Sequence, residues 1–154
     1  MKIISHRGNI DGVISSKENS PEYIDTAINL GYDVEVDIRF INGKFWLGHD
    51  TPDYSVNTEW ISHRKKFLWF HCKDLYSATE LTRIDSEIIK FCHKSDSFVL
   101  VSNGTVWVHD LNLKLDDLSV IPLLSMSDIQ NYDNNKEVYG ICTDFPKIIK
   151  KNKN

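Results

Sequence analysis

Short apolar runs separated by polar turns dominate the chain, and helical periodicity is confined to a few stretches. Ile3-Ile4 lies in a run typical of a buried strand, whereas residues 33–40 alternate acidic and β-branched side chains as a strand with one polar face does. Apolar residues recur at helical spacing from 76 to 93. We therefore predict strands near 2–6, 33–40, 45–49, 67–72, 98–102, 105–109, 119–123 and 138–142, and helices near 21–30, 76–93 and 127–132.

Turn and capping residues divide these elements. Ser20-Pro21 supplies an N-cap followed by proline in the first helical turn, and Gly31 ends the same helix. Asn42-Gly43 and Asn103-Gly104 each match a two-residue hairpin turn. Because a hairpin joins antiparallel strands, the second one is incompatible with a strictly parallel barrel.

The length of 154 residues corresponds to one domain. A complete (β/α)₈ barrel usually needs at least ~200 residues, and the three predicted helices are too few to flank eight strands. The predicted fold class is therefore α/β, as a pared-down TIM-like barrel with few outer helices and later crossovers that are short or non-helical. We place the domain at residues 1–146 and a basic C-terminal tail at 147–154.

Reactive side chains are concentrated in the first fifty residues. His6 ends the first strand, and Glu35 and Asp37 project from one face of the next. Two carboxylates held so close repel each other unless a cation lies between them, and a divalent metal is the simplest candidate. A polar strand face in water is the alternative interpretation. His49 follows the returning strand of the first hairpin, where an imidazole can transfer a proton near neutral pH.

Taken together, these motifs resemble the glycerophosphodiester phosphodiesterase family in both order and spacing. Residues 138–146 also resemble the closing strand of that family and its Thr-Asp-aromatic-Pro turn. The resemblance covers residues 1–50 and 138–146, with a thin match between them. The motifs that carry it in the first half are His6-Arg7-Gly8, Glu18-Asn19-Ser20, Glu35-x-Asp37, the Gly43 hairpin and His49-Asp50.

The resemblance implies a role for each matching position. His6 and His49 would be the catalytic acid–base pair, and Glu35 and Asp37 would bind a divalent metal ion, either magnesium, calcium or manganese. The residues implied to contact the substrate are Arg7, Asn19 and Lys73.

His71 is a departure from the family pattern, which has an acid two positions before the lysine of the third strand. Alternation places His71 and Lys73 on the same strand face. A neutral imidazole there would complete the metal site and shift its preference toward transition ions. Packing or hydrogen bonding of His71 beside an emptied site is the other interpretation.

Three functions fit these observations. The first is a metal-dependent phosphodiesterase that hydrolyses glycerophosphodiester-like linkages, in lipid or surface-glycan metabolism. The second is a phosphate-binding module that has lost turnover, and the third is a lyase that forms a cyclic phosphate. Two histidines placed for proton transfer favour catalysis over binding, because a phosphate pocket alone needs only cations and N–H donors.

Composition and charge restrict the partners. The net charge is −4, and lysines gathered in the tail leave the body more acidic, which argues against nucleic acid as a partner. No apolar run approaches the ~20 residues of a transmembrane segment, and no signal-peptide pattern precedes the first strand. We expect a cytoplasmic protein that binds a small-molecule phosphodiester substrate. Apolar surface left uncovered by few helices predicts a homo-oligomer.

We assign no catalytic role to the three cysteines or to the other histidines. Cys72, Cys92 and Cys142 lack the spacing of a zinc site and are expected to be reduced, buried thiols. His93, like His63, lies in a polar segment and is expected to be solvated. His109 ends a strand that echoes the His49 hairpin, but the family resemblance gives it no role.

Overall fold

The computed structural model describes residues 1–133 and 136–151, which form a mixed α/β fold. Within these residues ten strands belong to one curled sheet, and helices are few. The strands are β1 (Lys2–His6), β2 (Asp33–Ile41), β3 (Lys44–Leu47), β4 (Tyr54–Val56), β5 (Leu68–Cys72), β6 (Lys90–Phe91), β7 (Phe98–Leu100), β8 (Val106–Val108), β9 (Ser119–Pro122) and β10 (Gly140–Thr143). The helices are α1 (Pro21–Asn29), α2 (Thr58–Arg64), α3 (Leu75–Ile84), α4 (Met126–Asn131) and α5 (Pro146–Lys151).

The main path of the sheet runs β6–β5–β2–β1–β10–β9–β8–β7. Neighbours on this path are parallel except for β7 and β8, which form the predicted antiparallel hairpin. β6 and β7 are the two ends of this path. The N–H of Ser102, just after β7, donates to the carbonyl of Lys90 in β6 at 3.0 Å, but no ladder joins β6 to β7 in the described residues. The prediction of an α/β fold with few helices is confirmed, whereas a complete TIM barrel is not formed by these ladders.

Alternation along the strands separates apolar packing from the candidate chemistry. On β2, Val34, Val36 and Ile38 are fully buried in the cluster that packs against α1 and α3. Glu35 and Asp37, between them, face the concave side of the sheet. Trp69 is fully buried on that side, where its indole N–H donates to Asp33 at 3.1 Å.

The helix predicted for residues 76–93 is wrong in its second half. α3 ends at Ile84, because Asp85 adopts an extended conformation and its carboxylate accepts the Glu87 N–H at 2.9 Å. The chain then enters the sheet as β6 beside β5. Ile88 and Phe91 have helical spacing in the sequence, yet they pack into separate clusters on the two faces of the sheet.

Two short elements after the first hairpin were not predicted. β4 extends the antiparallel ribbon of β2 and β3, and α2 follows it. Asn57 caps α2 by accepting the Trp60 N–H at 2.8 Å. Arg64, at the end of α2, pairs with Asp25 of α1 through two contacts of 2.6 and 2.8 Å.

Residues 147–151 of the predicted basic tail are helical. They belong to α5, whose Ile149 is buried in the apolar cluster that includes Ile141. Lys147 pairs with Asp11 at 2.9 Å, and the Lys150 ammonium donates to the Leu30 carbonyl at 3.2 Å. Residues 152–154 lie outside the described residues.

Apolar side chains remain exposed on the terminal strand of the sheet. Phe98 is 55% and Leu100 76% exposed on β7. The symmetric partner expected from such surface stays a prediction. No helix in the described ranges has the length and apolarity needed to cross a membrane.

Candidate active site

The candidate site is assembled by the register of β1, β2 and β5. His6 lies beside Glu35 across the β1–β2 ladder, and Asp37 lies beside His71 across the β2–β5 ladder. These residues share the concave face because strand alternation sends their neighbours to the other side. Residues from three separate chain segments are thereby brought together without a dedicated loop.

His6, Glu35 and His71 line a cavity of about 220 Å³, whereas Asp37 is fully buried. The polar lining also includes Arg7 and His49. The cavity is smaller than the ~300–1,000 Å³ of typical ligand pockets. Further lining residues are Phe91, His93, Trp107, His109 and Leu124.

His6 is oriented by Asp144, a residue to which the sequence analysis gave no role. Its Nδ1 lies 2.8 Å from Asp144 Oδ1, and Asn9 donates to the same oxygen at 2.8 Å. Its other nitrogen, Nε2, lies 3.9 Å from Glu35 Oε2. Burial alone would lower the pKa of His6, but the bond to Asp144 and the charge of Glu35 outweigh it and raise the pKa. His6 is therefore poised to hold a proton.

Arg7 adopts a left-handed backbone conformation at the end of β1, with φ of +54°. Its N–H donates to the Glu35 carbonyl at 2.9 Å. Its guanidinium Nε lies 3.0 Å from Asp37, and Nη1 lies 3.3 Å from Glu18. Positive φ is unfavourable for a non-glycine residue and persists where the surroundings enforce it, often at functional sites.

Asp37 is fully buried and surrounded by donors and cations. The Asn19 amide donates to it at 3.0 Å and accepts the Asp37 N–H at 2.9 Å, so Asn19 holds this carboxylate and is not part of the cavity lining. Lys73 lies 3.4 Å from Asp37 Oδ1. Although burial opposes it, the bond to His71 and the charges of Arg7 and Lys73 hold the pKa of Asp37 well below its usual range.

Glu35 differs sharply from its neighbour on the same strand. Burial, reinforced by the negative charge of Asp37, raises the pKa of Glu35. Its Oε2 is buried and has no hydrogen-bond partner in the described residues. A buried carboxylate oxygen without a donor is unfavourable in an apoprotein and is well suited to ligate a cation.

The three residues predicted to bind metal are grouped closely enough to do so. Glu35, Asp37 and His71 each offer one ligand atom, and these atoms lie within 4.8 Å of one another. His71 Nδ1 lies 3.1 Å from Asp37 and 3.7 Å from Glu35. Burial would lower the pKa of His71, but the bond to Asp37 and the charge of Glu35 raise it. The His71 imidazole thus lies beside two carboxylates, in a group that could hold a metal ion.

The loop that carries His49 is held by Arg39, a residue that the sequence analysis did not single out. The Arg39 guanidinium donates to the carbonyls of Gly48 and His49. Gly48 has φ of +142°, and a Cβ there would collide with the Thr51 carbonyl, so only glycine fits. The His49 side chain is 41% exposed, and its Nδ1 lies 2.8 Å from Asp50.

His93 and His109, which the sequence analysis left without a role, form one wall of the cavity. Their rings stack with centroids 3.5 Å apart, and the Nδ1 atoms of both are buried without a hydrogen-bond partner in the described residues. Burial and the charges of the histidines near it lower the pKa of His109 to about 4. The sequence pattern predicted a helix over residues 76–93, so it did not indicate that His93 follows a strand, β6. The similarity between the hairpin strand that ends at His49 and the one that ends at His109 was the sequence feature that could have indicated a role for His109.

Cys72 lies on the opposite face of β5 from His71 and packs in the apolar cluster against α1 and α3. Cys92 is exposed, so the prediction of a buried thiol is wrong there. The neighbouring Cys72 thiol lowers the pKa of Cys92 to about 6.

No family model matches the chain, and no curated protein matches it significantly. The resemblance to glycerophosphodiester phosphodiesterases therefore rests on the motifs in residues 1–50 and 138–146.

Proposed function

We propose that this protein is a metal-dependent phosphodiesterase that hydrolyses small glycerophosphodiester-like substrates, with a sheet that is a reduced form of a TIM-like barrel. One observation carries the proposal. A histidine oriented by a carboxylate, His6 with Asp144, and a second histidine, His49, line one cavity beside Arg7. A simple phosphate-binding pocket has no need of two groups that transfer protons.

The cations of the site suit an anionic substrate. A phosphodiester carries one negative charge, which repels an attacking nucleophile. Arg7 and Lys73 both lie within 3.4 Å of the buried Asp37 carboxylate, which holds them near the cavity. Preorganised cations of this kind stabilise the charge that develops in the transition state.

The two histidines divide the proton transfers. His6, whose pKa is raised, is suited to donate the proton on Nε2 to the departing alkoxide. His49, on its exposed loop, accepts the proton of the attacking water or hydroxyl. Each such transfer contributes ~10²–10⁴-fold to the rate.

Glu35, Asp37 and His71 would hold the divalent cation. When bound, the cation supplies Lewis-acid stabilisation of the phosphoryl oxygens. The nitrogen donor of His71 favours manganese, zinc or iron over calcium or magnesium, which prefer oxygen ligands.

The test is a screen of the purified chain against glycerophosphodiesters with different head groups, with manganese, magnesium or calcium added after chelation. Phosphorus NMR identifies the product. We expect a phosphomonoester, and a cyclic phosphate would instead assign the lyase reaction. Binding of the diester without turnover would establish a binding module and contradict the proposal. Activity that separates from the chain during purification would reveal a contaminating enzyme.

We expect substitutions of His71 to change metal preference. His71→Asp supplies an all-oxygen site and should move the preference from manganese toward magnesium or calcium. His71→Ala should weaken binding of every ion by about 10–100-fold. Isothermal titration calorimetry with each ion measures both effects, and His63→Ala on α2 is the matched control. An unchanged metal profile in both variants would mean that His71 is not a ligand.

Metal affinity of the wild-type chain should also depend on pH. Ligation requires neutral imidazole, and the pKa of His71 is raised, so protons compete with the metal to a higher pH than at an ordinary histidine. Affinity should therefore fall as the pH is lowered through the pKa of His71. The same dependence in His71→Asp would assign the competing proton to another group.

A further inference from the structure

Two free thiols occupy adjacent positions on neighbouring strands. The parallel ladder pairs His71 with Phe91, so Cys72 and Cys92 are the next residues along β5 and β6. The His71 and Phe91 rings stack with centroids 5.1 Å apart on one face of the sheet. Alternation therefore places both cysteines on the other face, at neighbouring positions of the two strands.

The spacing of these positions fits a covalent bond. Adjacent strands lie about 4.8 Å apart, within the ~4.4–6.8 Å range of Cα separations across disulfides. The strands would not have to move apart or change register. Cys142, on β10, is fully buried in a different apolar cluster and cannot compete for either thiol.

The two cysteines differ in their access to solvent. Cys92 is exposed, whereas Cys72 is 4% exposed and packs in the apolar cluster against α1 and α3. An oxidant therefore reaches Cys92 first, and Cys72 can respond from within the fold. We propose that Cys72 and Cys92 are a reversible oxidation site, in which hydroperoxides convert the dithiol into a disulfide between β5 and β6.

The reaction balances with hydrogen peroxide as the oxidant. The Cys92 sulfur attacks one peroxide oxygen, the O–O bond breaks, and water leaves as Cys92 becomes a sulfenic acid. The Cys72 sulfur then attacks the Cys92 sulfur, the S–O bond breaks, and a second water leaves with the Cys72 proton. Two thiols lose two protons and two electrons, and one peroxide gains them to become two waters.

The bond would close the loop from 72 to 92, which contains α3. Cys72 lies between His71 and Lys73, so the disulfide would tie the strand of the candidate metal ligand to β6. An exposed disulfide is more readily reduced than a buried one, which makes the modification reversible. Its formation requires no turnover of a diester, so it stands apart from the proposed function.

Peptide mapping of the full chain tests this inference. After treatment with hydrogen peroxide and alkylation of remaining thiols, trypsin should release peptides 67–73 and 91–94 as one linked species. Its mass should lie two hydrogens below the sum of the separate peptides, and dithiothreitol should separate them. Peroxide should also raise the Tm of the chain, because the cross-link restricts the unfolded state.

Variants provide the controls. Cys142→Ser should still form the linked species, whereas Cys92→Ser should not. In Cys72→Ala, Cys92 should stop at the sulfenic acid, which dimedone traps. Oxidation of Cys92 to a sulfonic acid while Cys72 stays a free thiol would overturn the inference. A disulfide that joins two chains through Cys92 would overturn it as well.

Discussion

His6→Ala is expected to lower kcat for diester cleavage by ~10²–10⁴-fold, because it removes the group that we propose protonates the leaving alkoxide. The variant should stay folded, with a loss of about 1 kcal/mol from the hydrogen bond to Asp144. Wild-type activity should decline as the pH rises through the pKa of His6, because this donor acts only when it is protonated. The residual activity of the variant should lack this decline. Steady-state kinetics against pH, beside thermal unfolding, measure both effects.

His49→Ala should cause a loss of kcat in the same range with less effect on stability, because its side chain is 41% exposed. His63→Ala, an exposed histidine on α2, is the matched control and should leave activity unchanged. If His6→Ala and His49→Ala both unfold, or if neither changes kcat, the assignment of an acid–base pair is wrong.

Asp37→Asn is expected to lower the free energy of unfolding by ~3–5 kcal/mol, because it removes one partner from a buried ion-pair network. The variant leaves the cations of Arg7 and Lys73 near an uncharged amide. Asn19 would also face an amide nitrogen or oxygen in place of a carboxylate. Urea unfolding at neutral pH in the presence of a chelator measures the change.

Glu35→Gln is the contrasting substitution on the same strand. The folded pKa of Glu35 is raised above its ordinary 4.5, so its contribution to stability is full below that pH and is lost as the pH rises through the folded value. The folded pKa of Asp37 is lowered, so its contribution is present above its ordinary 3.8 and is lost only as the pH falls further. Glu35→Gln should therefore be nearly neutral or stabilising without metal, and should flatten the decline in stability as the pH rises above 4.5. Equal destabilisation by both variants would contradict this division of charge.

Local chemistry explains which elements the sequence could predict. Ser20 accepts the Tyr23 N–H, and α1 begins at Pro21 as expected. Asn42 and Gly43 both have positive φ, so the first hairpin has the turn that this residue pair favours. The end of α3 could not be predicted in this way. The apolar spacing continues past Ile84, and the pairing of β6 with β5, a long-range interaction, decides the conformation there.

The same distinction between local patterns and long-range contacts applies to the candidate site. Strand alternation placed Glu35 and Asp37 on one face, and it placed His71 beside them once β5 pairs with β2. The orientation of His6 could not be predicted, because Asp144 lies far away in the sequence. The inward position of His93 depends on a two-residue strand that single-sequence patterns do not reveal.

The pairing of β1 with β10 also determines when the candidate site is completed during synthesis. His6 and Asp144 are separated by 138 positions, and β1 lies between β2 and β10 in the sheet. Translation proceeds at ~5–20 residues per second, so the strands that carry the carboxylates leave the ribosome seconds before their last neighbour does. During that interval one edge of β1 has no partner strand, and His6 lacks the carboxylate that orients it. The proposed activity, measured on nascent chains, would therefore begin when β10 pairs with β1. It would not report when the strands that hold most of the site fold.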